Sequence, residues 1–552
     1  MSEPQVWLAA FRPQPIHTYL DDAVRRHGDR PAIDFLGKGY SYAEFGAEVD
    51  KVAVGLQALG AVKGTKIGLC LPNTPYYPIF YFAVLKIGGI VVNFNPLYVE
   101  REIAAQVQDA NARIMITLDL KVIYDKVDAV RRAGHLDTVV VCPMADALPP
   151  LKRLLFTLFK ARDRAKVPHD DAHPRYGELT VRGSTPHVPE IAPDTDVAVL
   201  QYTGGTTGLP KGAMLTHTNI SANLEQIRSV FCMAEPGQER MLCVLPFFHV
   251  FAMTVAQNLS VAIGAEMVML PRFELKQLLD AAKRKRVTLF PGVPTLYTAI
   301  NSDELTRSYD LTSIKICLSG GAPLPVEVKE QFEKLTGCML VEGYGLTEAS
   351  PVVTVNPLDE RRRAGSIGMA VPGTTIAFHS IENPAQQVGE GEKGELVVRG
   401  PQVMAGYYER PEETARAIRN GALHTGDVGY RDAEGFVYLV DRIKDLILCS
   451  GYNVYPRMIE EAIYRHPAVE EAIVIAVPDT YRGQAPKAFV KLRQGESLTG
   501  GEMLTFLKGH LSKIEMPQEI EFRDTLPKTM VGKLSKKELV AEEAGKRDGG
   551  TG

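Results

Sequence analysis

Short, continuously apolar runs recur along the chain, each closed by glycine, proline or a polar loop. They are TKIGLCL (65–71), GGIVVNF (88–94), ARIMITL (112–118), TVVVC (138–142), MLCVLP (241–246), AEMVMLP (265–271), VTLFPGV (287–293), IKICLSGG (314–321) and CMLVEGYG (338–345). Runs without polar alternation read as strands buried on both faces, and helix-period segments such as YAEFGAEVDKVAVGLQALG and LKQLLDAAKRKR separate them. The pattern predicts an α/β fold of two parallel-sheet subdomains covered by helices. From about 365 to 440 it changes to glycine-rich β pieces, GELVVRG and GFVYLVDR, predicting a small β-barrel-like subdomain. After 445 the order is helix, strand, strand, helix, strand (PRMIEEAIYRH, VEEAIVIAV, KAFVKL, GEMLTFLKGHL, EIEFRD), a small α+β C-terminal domain. The expected organisation is an N-terminal domain over 1–443, with subdomains about 1–190, 191–360 and 361–443, and a C-terminal domain over 444–540. The polar stretch AEEAGKRDGGTG (541–552) reads as a disordered tail.

The longest apolar stretch, YYPIFYFAVLKIGGIVVNF (76–94), carries Lys86 and a Gly-Gly break, so it predicts a buried helix followed by a strand rather than a membrane span. The N-terminal MSEPQVWLAAFRPQ has neither the charged nor the apolar region of a signal peptide, and the expected location is cytoplasmic. At 552 residues the chain exceeds one core, so two to four domains are expected. A net charge of −4 argues against a general nucleic-acid binder. The seven cysteines are scattered without a C-x-x-C pair, which offers no metal site.

Several segments could carry chemistry. YTGGTTGLPKG (202–212) can turn backbone N–H groups toward a phosphate, yet it fits neither the Walker loop nor G-x-G-x-x-G, and such loops are also ordinary turns. LSGGAPLP (318–325) offers a bare backbone edge for a planar base, or a tight strand–helix turn. EGYGLTEASP (342–351) brings a stacking ring at Tyr344, a hydroxyl at Thr347 and a hard carboxylate at Glu348, which suits Mg²⁺ or plain solvation. In HTGD (424–427), Asp427 can accept two ribose hydroxyls or close an Asx-turn. DRIKDLILCSGYNVYP (441–456) lies at the domain junction, and PKTMVGKLSKKEL (527–539) sets Lys533 behind Gly532 in a basic tail.

In this order and at these separations the six segments resemble the adenylate-forming enzymes: acyl-CoA synthetases, peptide-synthetase adenylation domains and beetle luciferase. The resemblance runs from SYAEF (41–45) to GKLSKKEL. VVNFNPLY (91–98), LPFFHVFA, EGYGLTEASPVV, GPQVMAGYY and SGYNVYPRMIE are most similar to bacterial long-chain fatty-acid–CoA ligases. One departure is Ala422, where an aromatic residue usually precedes the HTGD motif; only local packing is at stake there.

The resemblance implies ATP-dependent formation of acyl-AMP with release of pyrophosphate, then transfer to coenzyme A. It assigns Thr203, Gly204, Gly205, Thr206, Thr207, Gly208 and Lys211 to the leaving phosphates, and Glu348 with Thr206 to Mg²⁺. Gly321, Ala322, Pro323, Gly343, Tyr344 and Gly345 border the nucleotide, Thr347 approaches the α-phosphate, and Asp427 with Arg442 binds the ribose. Lys533 serves adenylation, Lys444 is the hinge of a mobile C-terminal domain, and Ser450, Gly451 and Tyr452 border the coenzyme A channel. Phe247, Phe248, His249, Phe251 and Gly345 line the acyl pocket, with Gly345 opening a deep tunnel and His249 packed rather than acting as a base. VFAMTVAQN (250–258) offers no carboxylate for the ammonium of an amino-acid substrate.

The alternatives are a ligase for a medium-chain, aryl or signalling acid, transfer to a carrier protein, a silent nucleotide-binding regulator, and a luciferase-like oxygenase. The expected partners are fatty acid, ATP and coenzyme A, with no nucleic acid; a homodimer is compatible. LKRLLFTLFKARDRAK (151–166) combines an apolar helical stripe with an excess of five positive charges. It reads either as a peripheral membrane contact or as a surface helix packing its stripe on the core.

Overall fold

The computed structural model describes residues 3–180, 185–203, 210–450, 452–529 and 533–548. Each apolar run forms a strand, and the strands assort into two sheets. In the first, Val197–Thr203, Ile90–Asn93, Lys66–Cys70, Ile114–Leu118 and Thr138–Cys142 lie side by side in parallel. Lys211–Thr216 and Gly406–Tyr407 extend its 197–203 edge in antiparallel pairing. In the second, Met339–Gly345, Ile316–Ser319, Leu289–Gly292, Arg240–Cys243, Glu266–Met269 and Pro31–Phe35 are parallel. Val352–Val355, Met369–Ala370 and Lys38–Ser41 add antiparallel edges.

The two sheets interleave along the chain. Pro31–Phe35 joins the second sheet beside Glu266–Met269, and Val197–Thr203 joins the first beside Ile90–Asn93, so the boundary expected near 190 does not separate them. An apolar run marks a strand as buried but does not encode which neighbour it pairs with. One apolar core serves both sheets.

Tyr76–Lys86 is the buried helix expected before the strand Ile90–Asn93, with Tyr77, Phe80, Tyr81 and Phe82 fully enclosed. Its eleven residues span about 16 Å, half of a bilayer core. Lys86 ends it in ion pairs with Asp21 (2.9 Å) and Asp50 (2.7 Å). Among the described residues no helix is long and apolar enough to cross a membrane.

The third sheet is antiparallel: Thr375–His379, Gly394–Arg399 and Ala422–Arg431 in order, with Ile418–Arg419 and Val437–Arg442 also pairing Ala422–Arg431. No ladder among the described residues joins Thr375–His379 to Val437–Arg442, so the small subdomain is an antiparallel sheet, barrel-like but open between those two strands.

The last unit pairs Val469–Asp479 with Gly483–Leu492 in a long hairpin, flanked by Ile447–Cys449, Tyr452–Val454 and Glu519–Phe522. Pro456–Tyr464 and Gly500–Leu507 close over it around Ile447, Ile459, Val474 and Met503. The stretch expected to be a disordered tail is helical as far as Asp548, within Lys536–Asp548. Leu539 seats the helix in a cluster with Ile473, Ile475 and Phe489, while Glu542 pairs with Arg523 (2.7 Å) and Glu543 with Lys487 (3.1 Å). Polar composition hid these anchors.

Candidate active site

The candidate residues converge where parallel strands end. Ile316–Ser319 runs into Gly320–Pro323, Met339–Gly345 runs into the turn Thr347–Ala349, and the segment after Arg240–Cys243 carries Phe248–Phe251. Loops diverge at the carboxyl ends of parallel strands, which leaves a crevice for ligands. With Thr203, Thr425–Asp427, Arg442 and Lys533 these edges line one cavity of about 1630 Å³. That volume exceeds the few hundred to about 1,000 Å³ of a usual single-ligand pocket, so it has room for a nucleotide and a second substrate.

Lys533 enters from the C-terminal unit. Its N–H donates to Thr529 Oγ1 (3.1 Å) and its carbonyl accepts from Thr529 N (2.6 Å), which ties Lys533 to Thr529. Its side chain occupies space that only glycine leaves open: a Cβ at Gly321 would sit 2.3 Å from Lys533 Cε and 2.7 Å from Nζ. Gly321 has a φ of +81°, which a side chain would also resist. Burial pushes the Lys533 ammonium down to about 8; Arg442 adds to the depression and Asp427 opposes it.

The ladder between Ala422–Arg431 and Val437–Arg442 sets Asp427 opposite Arg442, whose Nε donates to Asp427 Oδ1 (3.0 Å). Tyr344 donates its hydroxyl to Asp427 Oδ2 (2.5 Å); burial and that carboxylate push the phenol far above its ordinary range, so it keeps its proton. Glu395 accepts from Gly426 N (3.0 Å) and lies 2.8 Å from His424 Nδ1, which anchors the HTGD turn. Glu395 carries no local motif; it is recruited across a strand pair.

Lys211 does not line the cavity: it faces Thr203 across the strand pair, and its ammonium pairs with Glu413 and lies 5.4 Å from the centre of the Tyr407 ring. Tyr407 donates to Glu348 Oε1 (2.7 Å), and the Glu348 carbonyl accepts from Met404 N (2.8 Å). Tyr407 lies in the quoted segment GPQVMAGYY without a role assigned to it, and Glu413 lies outside every quoted segment.

The chain matches the AMP-binding enzyme family over residues 20–408 and the AMP-binding enzyme C-terminal domain over residues 458–533. It is 42% identical over 559 residues to a long-chain-fatty-acid–CoA ligase of Bacillus subtilis (strain 168), covering 98% of this chain and 99% of that protein. The chain belongs to the AMP-binding enzyme family. It is also 38% identical over 552 residues to a long-chain-fatty-acid–CoA ligase of Escherichia coli O157:H7, covering 97% and 96% of the two chains. The crystal structure of ATP-bound MatB from Rhodopseudomonas palustris superposes with a TM-score of 0.82 at 29% identity, over 96% of this chain and 99% of that one.

In this AMP-binding enzyme not every expected residue reaches the cavity. Phe248, His249 and Phe251 line it, whereas Phe247 turns into the core, its ring 5.6 Å from that of Tyr77 and its N–H donating to Asn73 Oδ1 (2.8 Å). Burial and then Lys533 push the His249 imidazole down to about 3, so it is neutral, and Nδ1 accepts from Phe251 N (3.3 Å). Gly345 lines the cavity, but a Cβ there would lie 2.1 Å from the Pro351 carbonyl oxygen. Its glycine serves a close backbone approach, so a side chain at 345 is not simply a plug in a tunnel.

Ser450 and Tyr452 sit around the turn joining Ile447–Cys449 to Tyr452–Val454 and do not line the cavity, whereas Lys444 does. Gly204, Gly205, Thr206, Thr207, Gly208 and Gly451 lie outside the described residues. A further group in the cavity is Glu342, whose carboxyl burial pushes up to about 7 against the pull of Arg457. Among the described residues no cluster of three or more His, Cys, Asp or Glu could hold a metal ion. The Glu348 carboxylate, which lines the cavity beside Thr347, is a hard oxygen donor of the kind that would hold Mg²⁺ together with phosphate oxygens.

Proposed function

We propose that the chain is an ATP-dependent long-chain fatty-acid–CoA ligase. A fatty carboxylate attacks the α-phosphorus of ATP, forming acyl-AMP and releasing pyrophosphate; the thiol of coenzyme A then attacks the acyl carbonyl and AMP departs. The observation that carries this reading is the buried Lys533 ammonium, lodged against Gly321 in the cavity that Asp427, Arg442 and Glu348 share. Bringing a carboxylate anion to a polyphosphate is the electrostatic obstacle, and a desolvated cation at that point relieves it far more than one in water.

In this scheme Thr203, the adjoining glycine–threonine loop and Lys211 hold the leaving phosphates. Gly321, Ala322, Pro323 and Tyr344 border the adenine, and Asp427 with Arg442 binds the ribose. Thr347 meets the α-phosphate. Glu348 would hold Mg²⁺, which when bound supplies positive charge at the phosphates. The second step needs the face that Lys533 occupies, so the C-terminal domain turns about Lys444 and brings Ser450 to Tyr452 toward the cavity. That motion accounts for Lys444 lining the cavity while Ser450 and Tyr452 do not.

The names of the relatives support the long-chain substrate, and the stretch 250–258 has no carboxylate to pair an ammonium. The test separates the half-reactions. Fatty-acid-dependent pyrophosphate release is expected from the wild type and lost in Lys533→Ala, while thioester formation from supplied acyl-AMP survives. Unchanged pyrophosphate release in Lys533→Ala, or equal loss of both steps in a folded variant, overturns the assignment.

A further inference from the structure

The helix Pro150–Phe159 has no buried residue. Leu151, Leu154, Leu155, Leu158 and Phe159 are 70%, 56%, 45%, 63% and 77% exposed. Their spacing of i, i+3, i+4, i+7 and i+8 makes them one stripe. Phe156 projects off that stripe and is the helix residue that packs against the core. The helix therefore turns its apolar face to solvent, the reverse of an ordinary surface helix. Packing of the stripe on the core, one of the two readings of the sequence, does not occur.

The helix is nevertheless held in place. Lys152 Nζ donates to the Leu36 carbonyl (2.8 Å), Arg153 pairs with Asp146 (2.8 Å), and Arg164 just beyond pairs with Asp119 (3.1 Å). Lys160 pairs with Asp163 (3.1 Å), the one acidic side chain of 151–166, and Arg162 and Lys166 add exposed positive charge. The whole chain carries a net charge of −4, so the excess is local.

We propose that residues 150–166 dock on the surface of an anionic phospholipid bilayer, with the leucine–phenylalanine stripe in the acyl boundary and the basic residues at the headgroups. Charge complementarity selects this occupant: a second copy of the chain would bring two basic clusters together, whereas anionic headgroups neutralise them. Ten residues span about 15 Å, so the helix lies in the interface plane and does not cross. A substrate with a long apolar tail partitions into the same phase.

The test is co-sedimentation of the full chain with vesicles of equal parts phosphatidylglycerol and phosphatidylcholine, beside vesicles of phosphatidylcholine alone. The bound-to-free ratio is expected to be at least about tenfold higher on the anionic vesicles and to collapse in high salt. The doubly substituted variants Leu154→Glu/Leu158→Glu and Arg162→Glu/Lys166→Glu change exposed side chains, so wild-type melting is expected, with binding lowered about tenfold or more in each. Wild type failing to pellet with anionic vesicles, or both variants pelleting like wild type, overturns the proposal. So does a leucine variant that loses a dimer but keeps vesicle binding, which gives the stripe to a second copy. The readout needs no ligase activity, so its failure leaves the two-step reaction standing.

Discussion

Raising the pH through 8 is expected to suppress adenylation selectively. Burial holds the Lys533 ammonium at about 8 in the free protein, so it is charged below that value and neutral above it. About nine-tenths of the molecules carry the charge at pH 7 and about one-tenth at pH 9. Because kcat/KM reports the free enzyme, its value for fatty-acid-dependent pyrophosphate release falls about tenfold per pH unit above the bend. Removing one preorganised charge stabiliser costs roughly 10²–10³ in rate, so the decline continues for two to three units toward the Lys533→Ala floor.

Two neighbours are separable from this effect. Burial keeps His249 neutral, at about 3, and Glu342 titrates at about 7, so Glu342→Gln removes any bend there without moving the upper one. Thioester formation from supplied acyl-AMP has the opposite slope, since the thiolate is the nucleophile. The assay is initial-rate pyrophosphate release between about pH 6 and pH 10, with the thioester step run in parallel. An adenylation profile that is flat or rising across pH 8 refutes the role of the Lys533 charge.

Tyr407→Phe deletes the 2.7 Å hydrogen bond to Glu348 and is expected to raise the Mg²⁺ concentration for half-maximal activity roughly tenfold, with unfolding unchanged; an unmoved Mg²⁺ titration removes Tyr407 from the site. Gly345→Ala forces the Pro351 backbone aside, so urea unfolding should show a loss of about 1–3 kcal/mol and both half-reactions should fall together. A shifted chain-length preference at wild-type stability would show instead that position 345 gates the tunnel directly.

Much of the fold is legible because short continuous apolar runs closed by glycine, proline or a polar loop, such as LCL, IVVN and IMITL, suit a sheet covered on both faces. The longer run at 76–86 suits a buried helix instead. Partner choice is not local, which is why Pro31–Phe35 and Val197–Thr203 cross between sheets unannounced. At the site, the residues placed by strand ends were readable: Gly321, Tyr344, Thr347, Asp427 and Lys533 meet in one cavity. Phe247 and Phe248 are indistinguishable by composition, and only the turn after Arg240–Cys243 sends one ring to the core and the other to the cavity. Lys211–Glu413 and Tyr407–Glu348 join segments about 200 and 60 residues apart through tertiary packing, so neither pairing leaves a spacing signal. In 151–166 the stripe was visible, but its direction depended on how Phe156 docks.

The most direct test of the central claim is CoA-dependent acyl-CoA formation measured as kcat/KM across straight-chain acids from about two to eighteen carbons. If the acyl group is read by apolar burial, each added methylene contributes about 0.8 kcal/mol, a rise of roughly fourfold per carbon, until the chain outgrows its lining and the curve levels among long chains. A maximum at acetate or propionate, a preference for aromatic acids, or acyl-AMP that forms but is never passed to coenzyme A would contradict a long-chain fatty-acid–CoA ligase.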